Sequence, residues 1–393
     1  MKGPAPSPLA AALAGGLLLV STMGIGRFAY TPLLPRLRDT LGWTLAQAGD
    51  VASANFVGYL LGALLAGRLA GRPTRAGWLF LAMLLSVLST LAGLLHWSYE
   101  GWLALRFVAG VASAVGMVIG LALVIDYVTR AGRPGLSSVA FPGVGVGIVL
   151  SVILIEIAKA GGASVAGQWA GLGICAGVCS AVALPILARL PNLVPSAVPA
   201  LATASSTDSS GELRRLIAAY ALLGFGYVVT ATFIVAMARQ QNSAPFIEVL
   251  CWLVVGATAA PSVPVGRWLA QRYGSMRVMR GAFCLEAIGV LLAGSSHSTG
   301  LLLLGGACLG ATFLSITALG LTAARNAAGP AADAAMGWMT AAFGSGQLLG
   351  PFVAGRLAQW SGGFALPSAL AAGLLLVGAV ILPRHTTPAA GTA

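Results

Sequence analysis

Polar and charged side chains within long apolar stretches are the residues of this sequence that could carry chemistry. No charged residue lies between Leu9 and Arg27. A charged side chain inside a membrane-spanning helix costs about 2.5–3.5 kcal/mol on insertion scales, so by default it marks a functional site. Arg27 is therefore a candidate for binding an anionic or polar substrate. The alternative is that its long side chain extends to the lipid headgroups.

Neutral polar side chains in other apolar stretches could line the same site. Asn55 and Tyr59 are four residues apart and share one face of a helix. Because amide and phenol groups are costly in lipid, that face is expected to point into the protein. Structural hydrogen bonding and substrate contact both remain open for these side chains. The candidate cavity residues are Arg27, Tyr30, Asn55, Tyr59, Tyr227 and Gln347.

The elements that must position these residues are apolar helices. The chain of 393 residues is 58% hydrophobic and 8% charged, whereas a soluble domain has about 25% charged residues. This composition is typical of a protein that crosses the lipid bilayer many times. The net charge of +12 comes from arginines scattered between apolar runs. Without a basic stripe interleaved with aromatic residues, we expect no nucleic-acid partner.

Enzymatic chemistry has little support in the sequence. The histidines are His96, His297 and His385, at predicted helix ends or in the tail. No pair of histidines is therefore available for acid–base catalysis or metal binding at membrane depth. The sequence contains no GxxxxGK[ST] phosphate loop, and its cysteines form no CxxC pair. We expect no enzyme, no metal site and no cofactor.

Apolar runs of about 20 residues predict twelve transmembrane helices in an all-α protein. A polar stretch rich in Ser, Thr and Pro between the sixth and seventh runs is typical of a flexible linker. The sequence thus predicts an N-terminal six-helix bundle over 1–189, a cytoplasmic linker over 190–213 and a C-terminal six-helix bundle over 214–393. Pro32 and Pro35 are expected to mark the outer end of the first helix. The predicted spans are 10–33, 47–70, 76–95, 101–127, 138–159, 167–188, 215–238, 246–270, 277–296, 300–324, 333–357 and 362–382.

The distribution of basic residues predicts the orientation of these spans. Most of the 22 Lys and Arg residues fall in loops that face the cytoplasm if both termini are cytoplasmic. Cytoplasmic loops carry an excess of Lys and Arg in membrane proteins. We therefore expect a multi-pass membrane protein with both termini in the cytoplasm.

The two predicted halves resemble each other at an offset near 200 residues. Gly24–Arg27 aligns with Gly224–Tyr227, and His96 and His297 fall at nearly the same spacing. A repeat of six helices plus six, joined by a long loop, implies two bundles related by a pseudo-two-fold axis along the membrane normal. In such proteins the binding site lies between the bundles near the middle of the membrane.

Two loop motifs carry a family resemblance over essentially the whole chain. Gly67–Arg75 and Arg267–Gly274 match the loop signature G-x-L-A-D-R-x-G-R of the Major Facilitator Superfamily, a family of membrane transporters. Both copies lack the acidic residue of that signature, which is Gly71 in one and Gln271 in the other. Asp126 is a candidate replacement, pairing with a nearby arginine. The residues assigned to this cytoplasmic latch are Gly67, Arg72, Arg75, Asp126, Arg130 and Arg272.

Further motifs resemble those of antiporters in the same superfamily. Arg106 begins an R-x-x-x-G-x-x-A-like pattern in the fourth span. The resemblance implies that Arg106 takes part in proton coupling, and anchoring at the headgroups is the alternative. Small residues at such spacings let helices approach closely and bend. The stretch GxGRFAYxPxxP also resembles an uncharacterised bacterial branch. The predicted packing or hinge residues are Gly24, Gly26, Gly110, Gly145, Gly346, Gly350 and Pro351.

The resemblance implies a secondary active transporter that moves a small organic solute by alternating access. Its partners would be the substrate, a proton or other ion, and the bilayer, and the protein is expected to be a monomer. The antiporter-like motifs favour export. Arg27 and Arg106, with few buried acids, favour uptake of an organic anion as the alternative. A membrane sensor of the same fold that transports nothing is the alternative from another functional class.

Overall fold

Twelve membrane-crossing spans form the fold. They are built from thirteen α-helices, and the described residues contain no strand. The computed structural model describes residues 5–69, 72, 74–191, 207–241, 244–328 and 332–384. All-helical structure follows from the composition, because lipid offers no partner to a backbone N–H or C=O group. The helices are α1 (Pro8–Leu19), α2 (Tyr30–Leu41), α3 (Leu45–Leu69), α4 (Arg75–Leu91), α5 (Tyr99–Arg130), α6 (Pro142–Ala160), α7 (Val165–Leu187), α8 (Thr207–Gln240), α9 (Pro245–Tyr273), α10 (Ser275–Ser295), α11 (Thr299–Ala328), α12 (Ala332–Ser361) and α13 (Ala365–Ile381).

The predicted number of spans is confirmed. Helices α1 and α2 together make the first span, and each later helix makes one. Ten spans of the described chain, from the first to α11, are long and apolar enough to cross a membrane by length and composition. Helix α13 is apolar but has only 17 residues, about 25 Å of helix. The linker predicted over 190–213 lies from 192 to 206 outside the described residues. Helix α8 already begins at Thr207, inside that predicted linker.

The first span is broken in the middle. A π-helical turn over Val20–Ile25 follows α1, and α2 restarts at Tyr30 and runs to Leu41. The prediction that Pro32 and Pro35 end this span is therefore wrong. Because α2 starts at Tyr30, Pro32 lies in the first turn, where backbone N–H groups have no helical partner in any case. Pro35 removes a single hydrogen bond from the helix interior.

The two halves pack their helices in the same pattern, as the repeat predicts. Helix α3 packs on α5 as α9 packs on α11, and α4 packs on α7 as α10 packs on α13. Close approaches repeat at the same offset. A Cβ on Gly110 would meet the carbonyl oxygen of Asn55, and a Cβ on Gly310 would meet that of Val255. These two pairs are 200 residues apart, so the same helix crossing occurs in both halves.

The halves meet mainly along two helix pairs, α3 with α12 and α6 with α9, and also where α2 packs on α8. Gly145 lies against the backbone of Gly256, and Gly344 lies against Leu60. Equivalent positions also touch directly, since the Thr31 hydroxyl donates to the carbonyl oxygen of Ala231, 200 residues away, at 2.7 Å. Such a contact between equivalent positions lies on or near the pseudo-two-fold axis.

Ion pairs close one end of this interface. Asp39 pairs with Arg239 at 2.6 Å, and Asp50 pairs with Arg356 at 2.6 Å. The Ser53 hydroxyl donates to the carbonyl oxygen of Leu348 nearby. Among the described residues, both ion pairs that join the halves lie at this end, which the charge bias predicts to face outward. We call it the predicted outer end.

The close approach of Gly24 to Gly147 gives a test of the packing. A Cβ on Gly24 would meet the backbone of Gly147, so Gly24→Ala must displace α6. We expect a loss of about 1–3 kcal/mol in the free energy of unfolding, seen as a lower thermal unfolding midpoint in detergent. Gly281→Ala, with nothing within 4 Å of its Cβ position, is the matched control and should not lower the midpoint. Equal shifts in the two variants would contradict this packing.

Candidate functional site

Arg27 lies in the break of the first span and is buried, with 4% of its surface exposed. Its guanidinium carbon is 3.8 Å from the ring centroid of Tyr59. The rings of Phe56 and Phe28 follow at 4.7 and 5.5 Å. A cation over a desolvated aromatic face gains about 2 kcal/mol. Rings from α3 and from the helix break therefore hold this side chain inside the protein, away from the headgroups.

No anionic side chain of the described residues balances the charge of Arg27. Its Nε and Nη2 atoms are buried and have no hydrogen-bond partner in that part of the chain. Across the described ranges, no carboxylate lies within 4.0 Å of it. A buried charge is costly unless it is paired and hydrogen-bonded. The aromatic rings offset part of that cost but leave N–H donors free for a ligand.

Arg106 is also buried, at 3% exposure, but its guanidinium has backbone partners. Nη1 donates to the carbonyl oxygen of Gly26 at 3.0 Å and Nη2 to that of Arg27 at 2.8 Å. The break in the first span frees these carbonyls from helical hydrogen bonds. Asn55 Nδ2 donates in turn to the Arg106 carbonyl oxygen at 2.9 Å. Arg106 thus lies against the helix break rather than at the headgroups, and its role in proton coupling stays a prediction.

A small cavity of about 20 Å³ adjoins both arginines, roughly the room that one water needs. Asn55 Oδ1 is buried there without a donor. The cavity therefore combines unused donors on Arg27 with an unused acceptor on Asn55, and residues of α8 close it from the other half. Its lining residues are Arg27, Phe28, Tyr30, Thr31, Ala52, Asn55, Phe56, Arg106, Ala231 and Thr232.

Tyr227, the position equivalent to Arg27, lies in an aromatic stack of the C-terminal half. Its ring is parallel to those of Phe313 and Phe343, with centroids at 5.4 and 5.6 Å. Gln347 Nε2 donates to its hydroxyl. Phe28 contacts Phe313 edge to face at 6.2 Å. Aromatic rings thus run without interruption from Arg27 to Tyr227.

The structure brings four of the six candidate cavity residues together. Arg27, Tyr30 and Asn55 line the cavity, and Tyr59 covers the guanidinium of Arg27. The Tyr30 hydroxyl donates a hydrogen bond to the carbonyl oxygen of Ala48 at 2.9 Å. Tyr227 and Gln347 form a separate pair outside the lining residues.

Several site residues were missed by sequence reasoning, namely Phe28, Thr31, Phe56, Phe313 and Phe343. Phe56 follows Asn55 and precedes Tyr59 by three residues, so helical spacing could have found it. Thr31 could have been found by asking which equivalent positions face each other. Phe313 and Phe343 carry no local signal in the sequence.

The predicted latch residues lie apart from this cavity. Asp126 Oδ2 is 3.5 Å from Nη1 of Arg75. The Nη2 atom of Arg75 donates to the carbonyl oxygen of Pro191. Arg72 and Arg130 are exposed. Arg272 lies 5.9 Å from the ring of Trp268. Gly67 has open space around its Cβ position, and Gly71 lies outside the described residues. The latch role of these residues stays a prediction.

The predicted packing glycines lie at close approaches between helices. A Cβ on Gly346 would meet the carbonyl oxygen of Ala221, and one on Gly350 would meet Val228. A Cβ on Gly26 would meet Ser86. Pro351 lies inside α12, where its carbonyl oxygen faces Gly49. Whether any of them acts as a hinge stays a prediction.

Comparison with known proteins identifies a family. A family model described as "Uncharacterised MFS-type transporter YbfB" matches residues 19–383. The comparison with curated proteins finds no match. The crystal structure of the nucleoside transporter NupG is similar, with a TM-score of 0.69, 17% identity, and coverage of 95% of this chain and 98% of that chain. Its D323A mutant gives a TM-score of 0.70 at 16% identity, with the same coverage. Identity this low supports the fold alone.

Proposed function

This chain belongs to the family of uncharacterised MFS-type transporters represented by YbfB, and from that premise we propose that it carries a small organic anion across the membrane. The observation that carries the proposal is Arg27. Its guanidinium is buried beside the interface of the two halves, with free N–H donors and no carboxylate of the described chain within ion-pair distance. A substrate carboxylate would supply the missing charge.

The surroundings of Arg27 favour a carboxylate with an apolar body. A guanidinium binds a carboxylate through two parallel hydrogen bonds, the strongest polar contact available to it. The rings of Phe28, Phe56 and Tyr59 surround that contact and would pack against apolar groups of the substrate. Asn55 Oδ1 would accept one hydrogen bond from it.

Transport would follow from rocking of the two halves against each other around the site between them. The closed predicted outer end and the small cavity support an occluded site in the described conformation. Opening this end would break the pairs Asp39–Arg239 and Asp50–Arg356. These pairs are partly exposed, and exposed ion pairs contribute about 0.2–1 kcal/mol each. Breaking them is a small barrier that substrate binding can overcome.

The placement of the protein in the cell is part of the proposal. The charge bias of the loops supports cytoplasmic termini in a bacterial inner membrane, with bundles over 1–189 and 214–393 and a linker over 190–213. The antiporter-like motifs around Arg106 and Gly346 support export of the anion, coupled to protons, by a monomer.

A thermal-shift screen tests anion binding. Purified protein in detergent is heated with a panel of aliphatic and aromatic carboxylates, each beside its own primary amide. We expect some carboxylates to raise the unfolding midpoint and their amides not to. At a hundredfold excess over the dissociation constant, such a carboxylate would add about 2.7 kcal/mol to the free energy of unfolding. The effect should vanish in Arg27→Met and persist in Arg68→Met, because Arg68 is exposed. Stabilisation by amide and carboxylate alike, or retained in Arg27→Met, would contradict the proposal.

Reconstitution separates a carrier from a sensor of the same fold. The best carboxylate of the screen, in radiolabelled form, should accumulate in proteoliposomes that contain the wild-type protein. Binding without any movement across the bilayer would support the sensor instead.

A further inference from the structure

Glu286 is a buried carboxyl that the anion site does not use. It lies in the middle of α10 (Ser275–Ser295), about 17 Å along the helix from its start. None of its surface is exposed, and neither carboxyl oxygen has a hydrogen-bond partner. Among the acidic residues whose burial the structure describes, it is the one fully buried inside the protein.

The neighbours of Glu286 within the described ranges supply no positive charge. Thr312 and Cys308 of α11 and Tyr227 of α8 interact with it electrostatically. Helix α13, which packs on α10, contains no titratable residue. On α9, Glu248 is held by Arg239 at the predicted outer end. Arg280 of α10 donates to backbone carbonyls of α13 and of the segment that follows it. The other titratable and charged groups that remain on α9 and α10 are Cys251, Arg267, Arg272, Tyr273, Arg277 and Cys284.

These surroundings suit the neutral acid and not the carboxylate. An isolated carboxylate in a dry interior is so costly that the group takes up a proton instead. The hydroxyl of Thr312 already donates to the carbonyl oxygen of Cys308 at 2.6 Å. With its proton on that carbonyl, the hydroxyl can accept a hydrogen bond from a protonated Glu286.

We propose that Glu286 is the proton-binding site that couples proton movement to transport in this chain. The proposal rests on the carrier function proposed above. In the described conformation the carboxyl holds a proton. In the conformation that opens the predicted outer end, the residues of the N-terminal half that cover α8 and α11 withdraw, water reaches Glu286 between these helices, and the O–H bond breaks to give a carboxylate and a hydrated proton. No electrons move and no covalent intermediate forms.

Packed rings lead from the anion site towards this carboxyl. Tyr227 lies within electrostatic range of Glu286 and stacks on Phe313. Phe313 contacts Phe28, the neighbour of Arg27 in the chain. An anion that enters beside Arg27 must displace Phe28, and α8 and α11 then repack around Tyr227. Substrate binding and the hydration of Glu286 therefore act on the same helices.

Two measurements without substrate test the proposal. Infrared spectra at neutral pH should show the C=O stretch of a buried carboxylic acid in the wild-type protein and in Glu100→Gln, an exposed control. That band should be missing in Glu286→Gln. Ser53→Cys, in a background without the five native cysteines, then reports opening of the predicted outer end through its rate of maleimide labelling.

If Glu286 loses its proton only when the predicted outer end is open, a higher pH must favour the open conformation. At each pH the labelling rate is divided by that of the same cysteine in denatured protein, because the thiolate is the form that reacts with maleimide and its fraction also rises with pH. This normalised rate should rise about tenfold per pH unit while the protonated form of Glu286 predominates, in the wild-type background and in Glu100→Gln. It should stay at the low rate in Glu286→Gln, whose amide is always neutral. Should this variant not fold, Glu286→Met replaces it, since its side chain is also always neutral.

The outcomes separate this proposal from the carrier proposal. An infrared band that survives in Glu286→Gln, or a normalised labelling rate that still rises with pH in that variant, overturns the assignment of Glu286. The same variant should retain the stabilisation by carboxylates that depends on Arg27. If no carboxylate stabilises the wild-type protein, the anion proposal fails, and the infrared and labelling results still decide whether Glu286 exchanges a proton.

Discussion

Arg27→Met should raise the thermal unfolding midpoint of the ligand-free protein and abolish its stabilisation by carboxylates. The guanidinium is buried and has no anionic partner in the described chain, so its desolvation is only partly offset by the rings of Phe56 and Tyr59. Replacing buried charges by well-packed apolar side chains of similar volume is often stabilising by about 1–4 kcal/mol. The midpoint in detergent, with and without a stabilising carboxylate, measures both effects.

A gain in stability without ligand, together with a loss of carboxylate binding, would identify Arg27 as a binding residue. A residue kept for packing loses stability when it is changed, whereas a residue kept for a ligand can lose binding and gain stability. Arg68→Met, at an exposed position, should change neither quantity. A lower midpoint in Arg27→Met would show that the cation–π contacts outweigh the desolvation, and Arg27 would then be a structural residue.

Arg106→Met should destabilise the protein by about 2–6 kcal/mol. The carbonyl oxygens of Gly26 and Arg27 would lose their donors, and each buried group left without a partner costs about 1–3 kcal/mol. The helix break would then be free to close or to rearrange. Thermal unfolding, together with the labelling rate of Ser53→Cys, measures the loss of stability and any opening of the predicted outer end.

Arg106→Lys is the graded comparison for this prediction. An ammonium group keeps the charge and can donate to a carbonyl, but it lacks the planar fork that serves two carbonyls at once. Its midpoint should lie between those of the wild-type protein and Arg106→Met. An unchanged midpoint in Arg106→Met would mean that the two carbonyls find other donors, and that Arg106 does not hold the break.

The two arginines show how far sequence reasoning reaches. Both were predicted as charges within apolar helices, because composition and spacing reveal a charge at membrane depth. Their different surroundings were not predicted. Arg106 has partners only because the first span breaks after Ile25, and no proline lies in the break itself to announce it. The two prolines nearest to the break misled the prediction instead, because they lie inside α2.

The fold was predicted more fully than the site. Helical spans follow from hydropathy, and the offset near 200 residues was visible in short matches such as Gly24–Arg27 with Gly224–Tyr227. The aromatic stack was not predicted, because Phe313 and Phe343 approach Tyr227 only through tertiary packing. Tyr227 was expected to face the same cavity as Arg27 by symmetry. In the structure Tyr227 instead stacks between Phe313 and Phe343 and is not one of the residues that line the cavity.

The ion pair between Asp39 and Arg239 has a consequence for the symmetry of the protein. These positions are equivalent in the two halves, 200 residues apart. In an exactly repeated chain both would carry the same residue, and two like charges would face each other across the axis. The attraction at the predicted outer end therefore exists only because the halves differ in sequence at this position. A carrier made of two identical halves would be pushed open at the point where this one is held shut.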